Sequence, residues 1–451
     1  MTSEDRTFFQ KQRIQANQAN ISLILAKALM SADPYQLVNH HILLSNSKVC
    51  IGKNDDFKDG RLILIAMGKA SLAMTRAVVD QLGDQITKGV CVCKSLPKPI
   101  PNWKNIQILK GAHPVPDERS VQAGKTICDC LQGLKANDRV LVLISGGASA
   151  LVSTPVKGIS LDDLKSVNHL LLGCGATINE MNAVRKHLEV LKGGGLVRLA
   201  APAQVSALIL SDVIGDEMSV IASGPTVADP STYQEVLTIL EKYQLSERVS
   251  DSVLTHFKLG VEGKAVETLK PQDSLLNNVN SQIIGSNELS IDAAIQEAER
   301  LGLKAVCLSR QMVGEASERG RWFVQESQKL SAGVAAPLMV IAGGETTVTI
   351  HGSGKGGRNQ ELALAGVKLM SQDQKAVFVT LATDGEDGPT DAAGGIVTHQ
   401  TMERAQKLGL DPDVYLKNND AYTFFEKVDG LVKIGSTGTN VNDLTFYFKF
   451  P

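Results

Sequence analysis

Apolar runs alternate with amphipathic segments along most of this chain. Such alternation is typical of a parallel β-sheet with helices on both faces, because each fully buried strand reads as an unbroken aliphatic run. Each of the clearest runs leads into a polar or glycine-rich loop, and ligands bind beyond the carboxyl ends of the strands in open α/β sheets. The pattern therefore predicts an α/β fold with a ligand site built from these loops. The predicted strands cover residues 62–67, 140–144, 206–210, 282–285, 338–342 and 376–382.

Two domains are expected, because 451 residues exceed the size at which one hydrophobic core stops growing. The stretch between about Asp251 and Leu276 breaks the alternation with charge, glycine and proline. We therefore predict a first α/β domain over residues 1–275, with a helical lead-in over residues 1–55, and a second over residues 276–451. The lead-in is predicted to be helical from apolar residues at helical spacing, namely Ile14, Ile21, Leu25, Ala28 and Leu29.

Charge and composition point to a small-molecule partner. The 46 basic and 48 acidic side chains are mixed along the chain and give a net charge of −2, which provides no basic surface for nucleic acid or membrane. No apolar run approaches the roughly 18 residues of a membrane-spanning helix, and Glu4 and Asp5 are unlike a signal peptide. The 7 cysteines are odd in number and lack zinc-ligand spacing, as expected of reduced thiols. We predict a cytoplasmic protein, monomeric or homodimeric, that binds neither nucleic acid nor membrane.

The aliphatic run V-L-V-L-I leads into a loop of small residues, S-G-G-A-S, at residues 145–149. Glycine adopts the backbone conformations that point several amides at one anion, and no side chain blocks the approach. Phosphate or carboxylate would be the natural ligand. The alternative is a strand-to-helix connection that is small only for packing, and the loop alone does not separate the two interpretations.

Charged side chains also follow predicted strands. Lys69 lies directly after the first strand, between Gly68 and Ala70, where a compact cation can reach a phosphate. Asp212 follows the strand at residues 206–210, where a carboxylate can accept a proton from a substrate hydroxyl or hold Mg2+. The alternatives are a solvated surface lysine and an ordinary capping aspartate.

A helix predicted over residues 178–191 carries an apolar stripe beside a polar one. Three glycines follow it directly and allow the chain to leave the helix against a ligand or another backbone. The polar stripe is either a solvated face or a set of ligand-binding groups. The apolar stripe consists of Met181, Val184, Leu188 and Leu191, and the polar stripe of Asn182, Arg185, Glu189 and Lys192.

Residues 338–365 read as a strand, a Gly-Gly-Glu turn, a returning strand and a helix. Within them, residues 352–357 match the pattern G-x-G-x-x-G of dinucleotide-binding loops. The loop also contains Lys355, and Arg358 follows it, while the next strand ends at Asp384 in an acidic, glycine-rich loop. A dinucleotide site instead places a single ribose-binding acid there. Basic residues beside the glycines therefore favour phosphate over NAD.

Anion-binding loops, cations and carboxylates at strand ends are the groups that phosphoryl transfer requires. The acidic loop at residues 383–391 could coordinate Mg2+ or orient a hydroxyl, or could be a charged surface turn. The P-loop pattern and the protein-kinase signatures are missing from the sequence. Two other functions remain open, a nicotinamide-dependent hydroxypyruvate reductase and a non-catalytic sensor of sugar acids or nucleotides.

From about residue 60 to its end the sequence resembles the glycerate kinases of the glycerate 2-kinase type with a C-terminal MOFRL domain. The matching segments include L-V-L-I-S-G-G-A-S-A-L, I-L-S-D-V-I-G-D, G-S-G-K-G-G-R-N-Q-E-L-A-L and T-D-G-E-D-G-P-T-D-A-A-G. The resemblance implies ATP-dependent phosphorylation of D-glycerate to 2-phosphoglycerate with Mg2+ as cofactor. It also implies two α/β domains, each with a largely parallel sheet flanked by helices, that face each other across an active-site cleft.

The resemblance also implies roles for individual residues. Lys69 and Arg358 match the lysine and arginine of the family's active site and are expected to stabilise phosphoryl charge. Asp212 is implied as the general base or, with Asp384, as a ligand of Mg2+. Ala148 stands where the family commonly has a third glycine, and it would cost about 1 kcal/mol if that position needs a positive φ. The residues implied in binding ATP and Mg2+ are Ser145, Gly146, Gly147, Ser149, Lys192, Asn287, Glu345 and Asp384.

Overall fold

The structure is a computed structural model, which describes residues 18–45, 48–52, 56–57 and 59–451. The chain folds into two compact units. The first unit is Pro34–Ile284, and the second joins the described residues 18–33 to Gly285–Pro451. The division differs from the predicted one, which placed the boundary after residue 275 and the whole lead-in with the first domain.

The first unit is built on a six-stranded sheet with the order β6-β5-β4-β7-β8-β9, and the pairs from β6 to β8 are all parallel. Its strands are β4 (Leu62–Met67), β5 (Ile86–Cys93), β6 (Ile106–Lys110), β7 (Arg139–Ile144), β8 (Gln204–Leu210) and β9 (Val279–Gly285). Its helices are α2 (Pro34–His41), α3 (Ser71–Leu82), α4 (Glu118–Cys130), α5 (Ala148–Leu151), α6 (Leu161–Gly173), α7 (Ile178–Lys186), α8 (Gly195–Ala200), α9 (Tyr233–Lys242) and α10 (Asp251–Val261).

The start of the first unit differs from the predicted helical lead-in. After α2 the chain forms a small antiparallel sheet of β1 (Ile42–Ser45), β2 (Lys48–Ile51) and β3 (Asp56–Phe57). The prediction rested on apolar spacing upstream of this sheet. One of its five positions, Ile14, lies outside the described residues.

The second unit contains a six-stranded sheet with the order β10-β11-β15-β12-β13-β14. Its strands are β10 (Lys304–Glu315), β11 (Leu338–Thr347), β12 (Ala376–Ala382), β13 (Gly394–Val397), β14 (Leu431–Val432) and β15 (Asp443–Lys449). Its helices are α1 (Gln18–Met30), α11 (Asn287–Arg300), α12 (Ala316–Ser331), α13 (Arg358–Met370), α14 (His399–Lys407), α15 (Pro412–Lys417) and α16 (Ala421–Lys427). The buried residues Ile21, Leu25 and Ala28 of α1 share a core with α11, which explains why this helix belongs to the second unit.

The predicted α/β fold class, with two sheets flanked by helices, is confirmed. The second sheet is mixed in detail: β10 and β11 are parallel, but β15 pairs antiparallel with both β11 and β12, and β13 pairs antiparallel with β12. Four of its six strands share one direction, since β14 is antiparallel to β13. The two reversed strands, β13 and β15, follow connections without a helix, whereas neighbouring parallel strands need a long crossover.

The strand predictions succeed where the residues are fully buried. All residues of β4 and β12 are buried, and both strands have the predicted bounds. The prediction for β11 was wrong beyond residue 342, because the strand runs straight through Gly343 and Gly344 to Thr347 without a turn or a returning strand. A Cβ on Gly344 would lie 2.2 Å from the carbonyl oxygen of Met312 on β10, so glycine is needed for strand pairing here.

Helix α7 ends at Lys186, five residues before the predicted end at Leu191. The chain beyond it pairs with another backbone segment: the amide of Val156 donates to the oxygen of Leu188, and the amide of Val190 donates to the oxygen of Thr154. Tertiary pairing therefore overrides the helical periodicity, although the apolar stripe is buried as predicted. Among the described residues, no helix is both long and apolar enough to cross a membrane.

Candidate active site

The 145–149 loop joins β7 to α5 at the carboxyl edge of the first sheet. It is tied to the end of the neighbouring strand β4, since the amide of Ala70 donates to Ser145 Oγ at 3.0 Å and the amide of Lys69 donates to the oxygen of Gly146 at 2.9 Å. Parallel pairing of β4 and β7 brings the two strand ends to one edge. The structure thus places Lys69 beside the loop.

Ala148 causes no strain in this loop. The left-handed residue is Gly147, with φ 81°, and Ala148 is the buried first residue of α5. The position where the family commonly has a third glycine therefore needs no positive φ in this chain. The cost expected for alanine does not arise.

Three successive amides of the loop, those of Gly146, Gly147 and Ala148, donate to no other group within the described part of the chain. Consecutive amides without internal partners are a common way of binding an anion. The carboxylate of Asp212, which follows β8, packs directly against this loop. A Cβ added to Gly146 would stand 1.9 Å from Asp212 Oδ2. Glycine at position 146 is therefore required for this close approach.

Lys69 and a histidine flank Gly147. A Cβ added to Gly147 would lie 3.3 Å from Lys69 Cε and 3.1 Å from His113 Nε2. The Lys69 ammonium is exposed and makes neither an ion pair nor a hydrogen bond with any described residue. It is therefore a cation available to a ligand, next to amides that are also available.

Lys192 has a different environment, although the sequence placed it among the ligand-binding residues. Its ammonium is buried, donates to the oxygen of Ser149 at 3.2 Å and pairs with Glu189. Glu189 in turn accepts from Ser153 Oγ at 3.0 Å and from the amide of Thr154 at 2.7 Å. Lys192 thus holds the end of the loop at Ser149 from the buried side.

The polar stripe beside α7 is not a solvated face. Asn182 is buried, and its Oδ1 accepts from Ser223 Oγ at 3.4 Å. Ser223 Oγ in turn lies 3.0 Å from Ser149 Oγ of the loop. Burial lowers the pKa of Arg185, whose Nε donates to Asn168. The Asn182 contacts connect α7 to the loop through side-chain hydrogen bonds, whereas the Arg185 contact connects α7 to α6.

The three glycines after Lys192 contact backbone. The amides of Gly193 and Gly194 donate to the oxygens of Ser223 and Gly224 at 3.0 and 2.8 Å. Ala222 and Ser223 have positive φ angles of 53° and 60°, which are rare for residues other than glycine. The strained turn places Ser223 against the loop.

In the second unit, Arg358 is the first residue of α13 and is held by two carboxylates. Its Nε and Nη2 atoms donate to Asp443 at 2.5 and 3.1 Å, and Nη1 donates to Glu345 at 2.7 Å. Burial lowers the pKa of Arg358. The charge of Asp443 and the hydrogen bonds to its carboxylate raise this pKa by more, so the net shift is upward. Arg358 and Glu345, both predicted site residues, are thus brought together around Asp443, which the sequence analysis did not identify.

The acidic 383–391 loop divides into structural and available carboxylates. Asp387 is buried and caps α13 by accepting from the amides of Asn359 and Gln360 at 3.1 and 2.8 Å. Burial and, to a smaller extent, the charge of Asp443 raise the pKa of Asp387 to about 7. Asp384 is partly exposed, and its carboxylate accepts only from the amide of Glu386 among described groups.

Asn287 serves the fold directly. Its Nδ2 donates to the oxygens of Val441 and Asp443 at 2.8 and 2.9 Å, and its Oδ1 would lie 1.9 Å from a Cβ on Gly343. Both amide hydrogens therefore hold the start of β15. No group of three or more His, Cys, Asp or Glu side chains suited to a metal ion occurs within the described ranges.

The G-x-G-x-x-G segment packs against protein. A Cβ on Gly352 would lie 2.4 Å from the oxygen of Asn418, and one on Gly354 would lie 2.3 Å from Asp420 Cβ. The amide of Lys355 donates to Asp420 at 2.9 Å. Because these glycines provide room for neighbouring chain, their pattern carries little weight as a dinucleotide signature.

Comparison with known proteins identifies the family. Residues 20–258 match a family described as a domain of unknown function (DUF4147), and residues 338–443 match the MOFRL family. The chain is 42% identical over 427 residues to the glycerate 2-kinase of Pyrococcus horikoshii, covering 93% of this chain and 94% of that protein. It also resembles the crystal structure of a Thermotoga maritima glycerate kinase, with TM-score 0.83, 37% identity and coverage of 94% and 97%. This chain belongs to the glycerate kinase family with a C-terminal MOFRL domain.

One relative within the glycerate kinase family carries another name. A putative hydroxypyruvate reductase of Agrobacterium vitis is 38% identical over 394 residues, covering 85% of this chain and 86% of that protein. The name matches the alternative raised from the G-x-G-x-x-G pattern.

In this member of the glycerate kinase family, His113 also lies at the loop but was not predicted from the sequence. The histidine follows β6, another strand of the first sheet, in the segment G-A-H-P. The rule that polar residues after strands mark ligand sites would have found it. The strand itself was missed, because β6 is only partly buried and its sequence I-Q-I-L-K is not an unbroken apolar run.

Proposed function

We propose that this protein phosphorylates D-glycerate with ATP, giving 2-phosphoglycerate by in-line transfer of the γ-phosphoryl group. The observation that carries the proposal is the combination, in the described structure, of an unpaired Lys69 ammonium, three unpaired loop amides and the Asp212 carboxylate on one loop. Phosphoryl transfer needs little covalent chemistry from the protein and depends on positioning and charge stabilisation. These groups supply both.

In this proposal the 145–149 loop binds phosphate. The amides of Gly146 and Gly147 donate to phosphate oxygens, while Ser145 Oγ holds the end of β4 and Ser149 Oγ holds the turn at Ser223. Lys69 offsets the charge that develops on the transferred group. A single donor that acts on developing charge contributes about 100-fold to 1000-fold in kcat.

Asp212 and Asp384 are the carboxylates that we propose for Mg2+. This ion is usually bound through one or two carboxylates together with phosphate oxygens and water. In the first unit, Asp212 is the candidate for holding Mg2+ or for accepting the hydroxyl proton. In the second unit, Asp384 is the candidate for holding Mg2+. When bound, the ion would neutralise phosphate charge.

Arg358 contributes through orientation in this scheme. Asp443 and Glu345 fix its guanidinium in one geometry, so that its two remaining N–H groups are presented in defined directions. The nucleotide-binding roles of Glu345 and Asn287 stay a prediction, since Asn287 also ties β15 to α11. We further propose a cytoplasmic enzyme, monomeric or homodimeric, whose partners are small molecules.

The decisive experiment is an ADP-release assay with D-glycerate, L-glycerate, hydroxypyruvate and tartronate, with the phosphate position of the product read by phosphorus NMR. ADP release with D-glycerate and a phosphate on C2 would support the proposal. The alternative reductase is favoured only by the name of the Agrobacterium relative. Oxidation of NADH by hydroxypyruvate without ATP would support that alternative and contradict the kinase.

A further inference from the structure

We propose that the imidazole of His113 accepts the proton of the glycerate hydroxyl as this hydroxyl attacks the γ-phosphoryl group. The inference rests on the kinase function proposed above and assigns its general base. On the sequence alone a carboxylate was expected in this role, with Asp212 as the first choice. His113 contacts the same loop as Lys69 and is unused by the rest of the described fold.

The geometry places Nε2 of His113 at the phosphate-binding loop. A Cβ at Gly147 would lie 3.1 Å from this nitrogen and 2.9 Å from the adjacent Cδ2 atom, so the absence of a side chain at position 147 makes room for the ring. Lys69 Cε stands 3.3 Å from the same point. The imidazole and the lysine therefore flank the turn whose amides are unpaired.

The hydrogen bonding of His113 differs from that of the buried His187 and the partly buried His256 of the first unit. His187 places Nδ1 2.7 Å from the oxygen of Ala183 and Nε2 2.8 Å from Glu267, and His256 places Nε2 2.9 Å from the oxygen of His187. Neither ring nitrogen of His113 has a hydrogen-bond partner among the described residues, although the ring is half-buried. A half-buried imidazole without a structural partner at a ligand loop is suited to a ligand.

The charges that face His113 keep it neutral. Burial lowers the pKa of His113, and the ammonium groups of Lys69 and Lys94 lower it further. The carboxylate of Asp212 lies on the neighbouring glycine of the loop, Gly146. An unprotonated imidazole can accept a proton, and anionic phosphates bound at Lys69 would offset the lysine charge and raise the affinity of the ring for that proton.

In the proposed step, the hydroxyl O–H bond of glycerate breaks and its proton forms an N–H bond at Nε2 of His113. The hydroxyl oxygen bonds to the γ-phosphorus, while the bond from that phosphorus to the bridging oxygen of ADP breaks and ADP leaves. The imidazolium then releases its proton to solvent, which restores the neutral ring.

The test compares H113Q, H113A and the matched control H169Q, which changes an exposed histidine on α6. Glutamine keeps a hydrogen-bonding group but cannot titrate. We expect H113Q to lower kcat by about 100-fold or more, with the KM for ATP changed by only a few-fold, and H169Q to behave as wild type. We also expect added imidazole to restore turnover in H113A, and the acid limb of the wild-type kcat/KM profile to be missing in H113Q.

Four results would overturn the proposal. Wild-type kcat in H113Q, or an unchanged acid limb, would show that His113 does not accept the proton. A change confined to KM would make it a binding residue. Melting temperatures equal to wild type ensure that the variants are folded, and the unpartnered ring makes this the expected result. Absence of ADP release by the wild type would overturn the kinase itself, and with it the role of His113.

Discussion

The contact between Gly146 and Asp212 provides the sharpest test of the first-unit site. In the variant G146A the new Cβ would stand 1.9 Å from Asp212 Oδ2, whereas ordinary contacts begin at 3.4 Å. The carboxylate must therefore retreat by about 1.5 Å, because the loop is fixed by hydrogen bonds to Lys69 and Ala70. A misplacement of about 1 Å at a reacting group can cost about 100-fold in rate.

We therefore expect G146A to lower kcat about 100-fold in the ADP-release assay. Stability should change little, because Asp212 is partly exposed and can rotate toward solvent. The control is G173A at the end of α6, where an added Cβ meets nothing within 4 Å. A crystal structure of G146A with the carboxylate displaced and kcat within threefold of wild type would refute the idea that Asp212 must lie on this loop.

Three further perturbations test the charges around the two clusters. K69M should lower kcat by about 100-fold to 1000-fold with an unchanged melting temperature, because the ammonium has no partner in the described structure, and normal turnover would remove Lys69 from the mechanism. R358A should lower the free energy of unfolding by about 3 kcal/mol in urea titrations, because it leaves Asp443 buried without its cation, and the double variant R358A/D443N should regain part of the loss. Asp387 has a pKa raised from 3.8 to about 7 by burial, so the folded state binds its proton more tightly than the unfolded chain and is favoured below pH 4. The stability that this proton contributes should therefore be lost as the pH rises from 4 to 7, and D387N should show a flatter pH dependence of unfolding than wild type over that interval.

The parts of the fold that follow from sequence are those set by local burial. β4 and β12 are unbroken apolar runs because they lie inside sheets covered on both faces, and their predicted bounds hold. β15 was not among the predicted strands, and its insertion between β11 and β12 depends on pairing over long sequence distances. Periodicity within one segment carries no information about such pairing. The mixed strand directions of the second sheet could therefore not be predicted from the sequence.

The same distinction applies to the site. Lys69 and the 145–149 loop could be predicted as site residues because each lies directly beyond an obvious strand. The burial of Lys192 was not foreseeable, because its partner Glu189 lies on the same predicted polar stripe and looked equally solvated. Asp443 was missed because nothing local distinguishes it from a capping residue until Arg358 is placed beside it.

The two proposed active-site cations, Lys69 and Arg358, differ in their charged partners and are therefore expected to have different roles. Lys69 has no carboxylate partner in the described structure, so its full charge acts on a ligand. Arg358 shares its charge with the carboxylates of Asp443 and Glu345, which pair with its guanidinium. A cation that is already neutralised attracts an anion only weakly, while a fixed guanidinium fork still donates in a defined direction. We therefore expect phosphate affinity to come mainly from the first unit, whereas the carboxylates around Arg358 favour hydroxyl groups or a divalent cation.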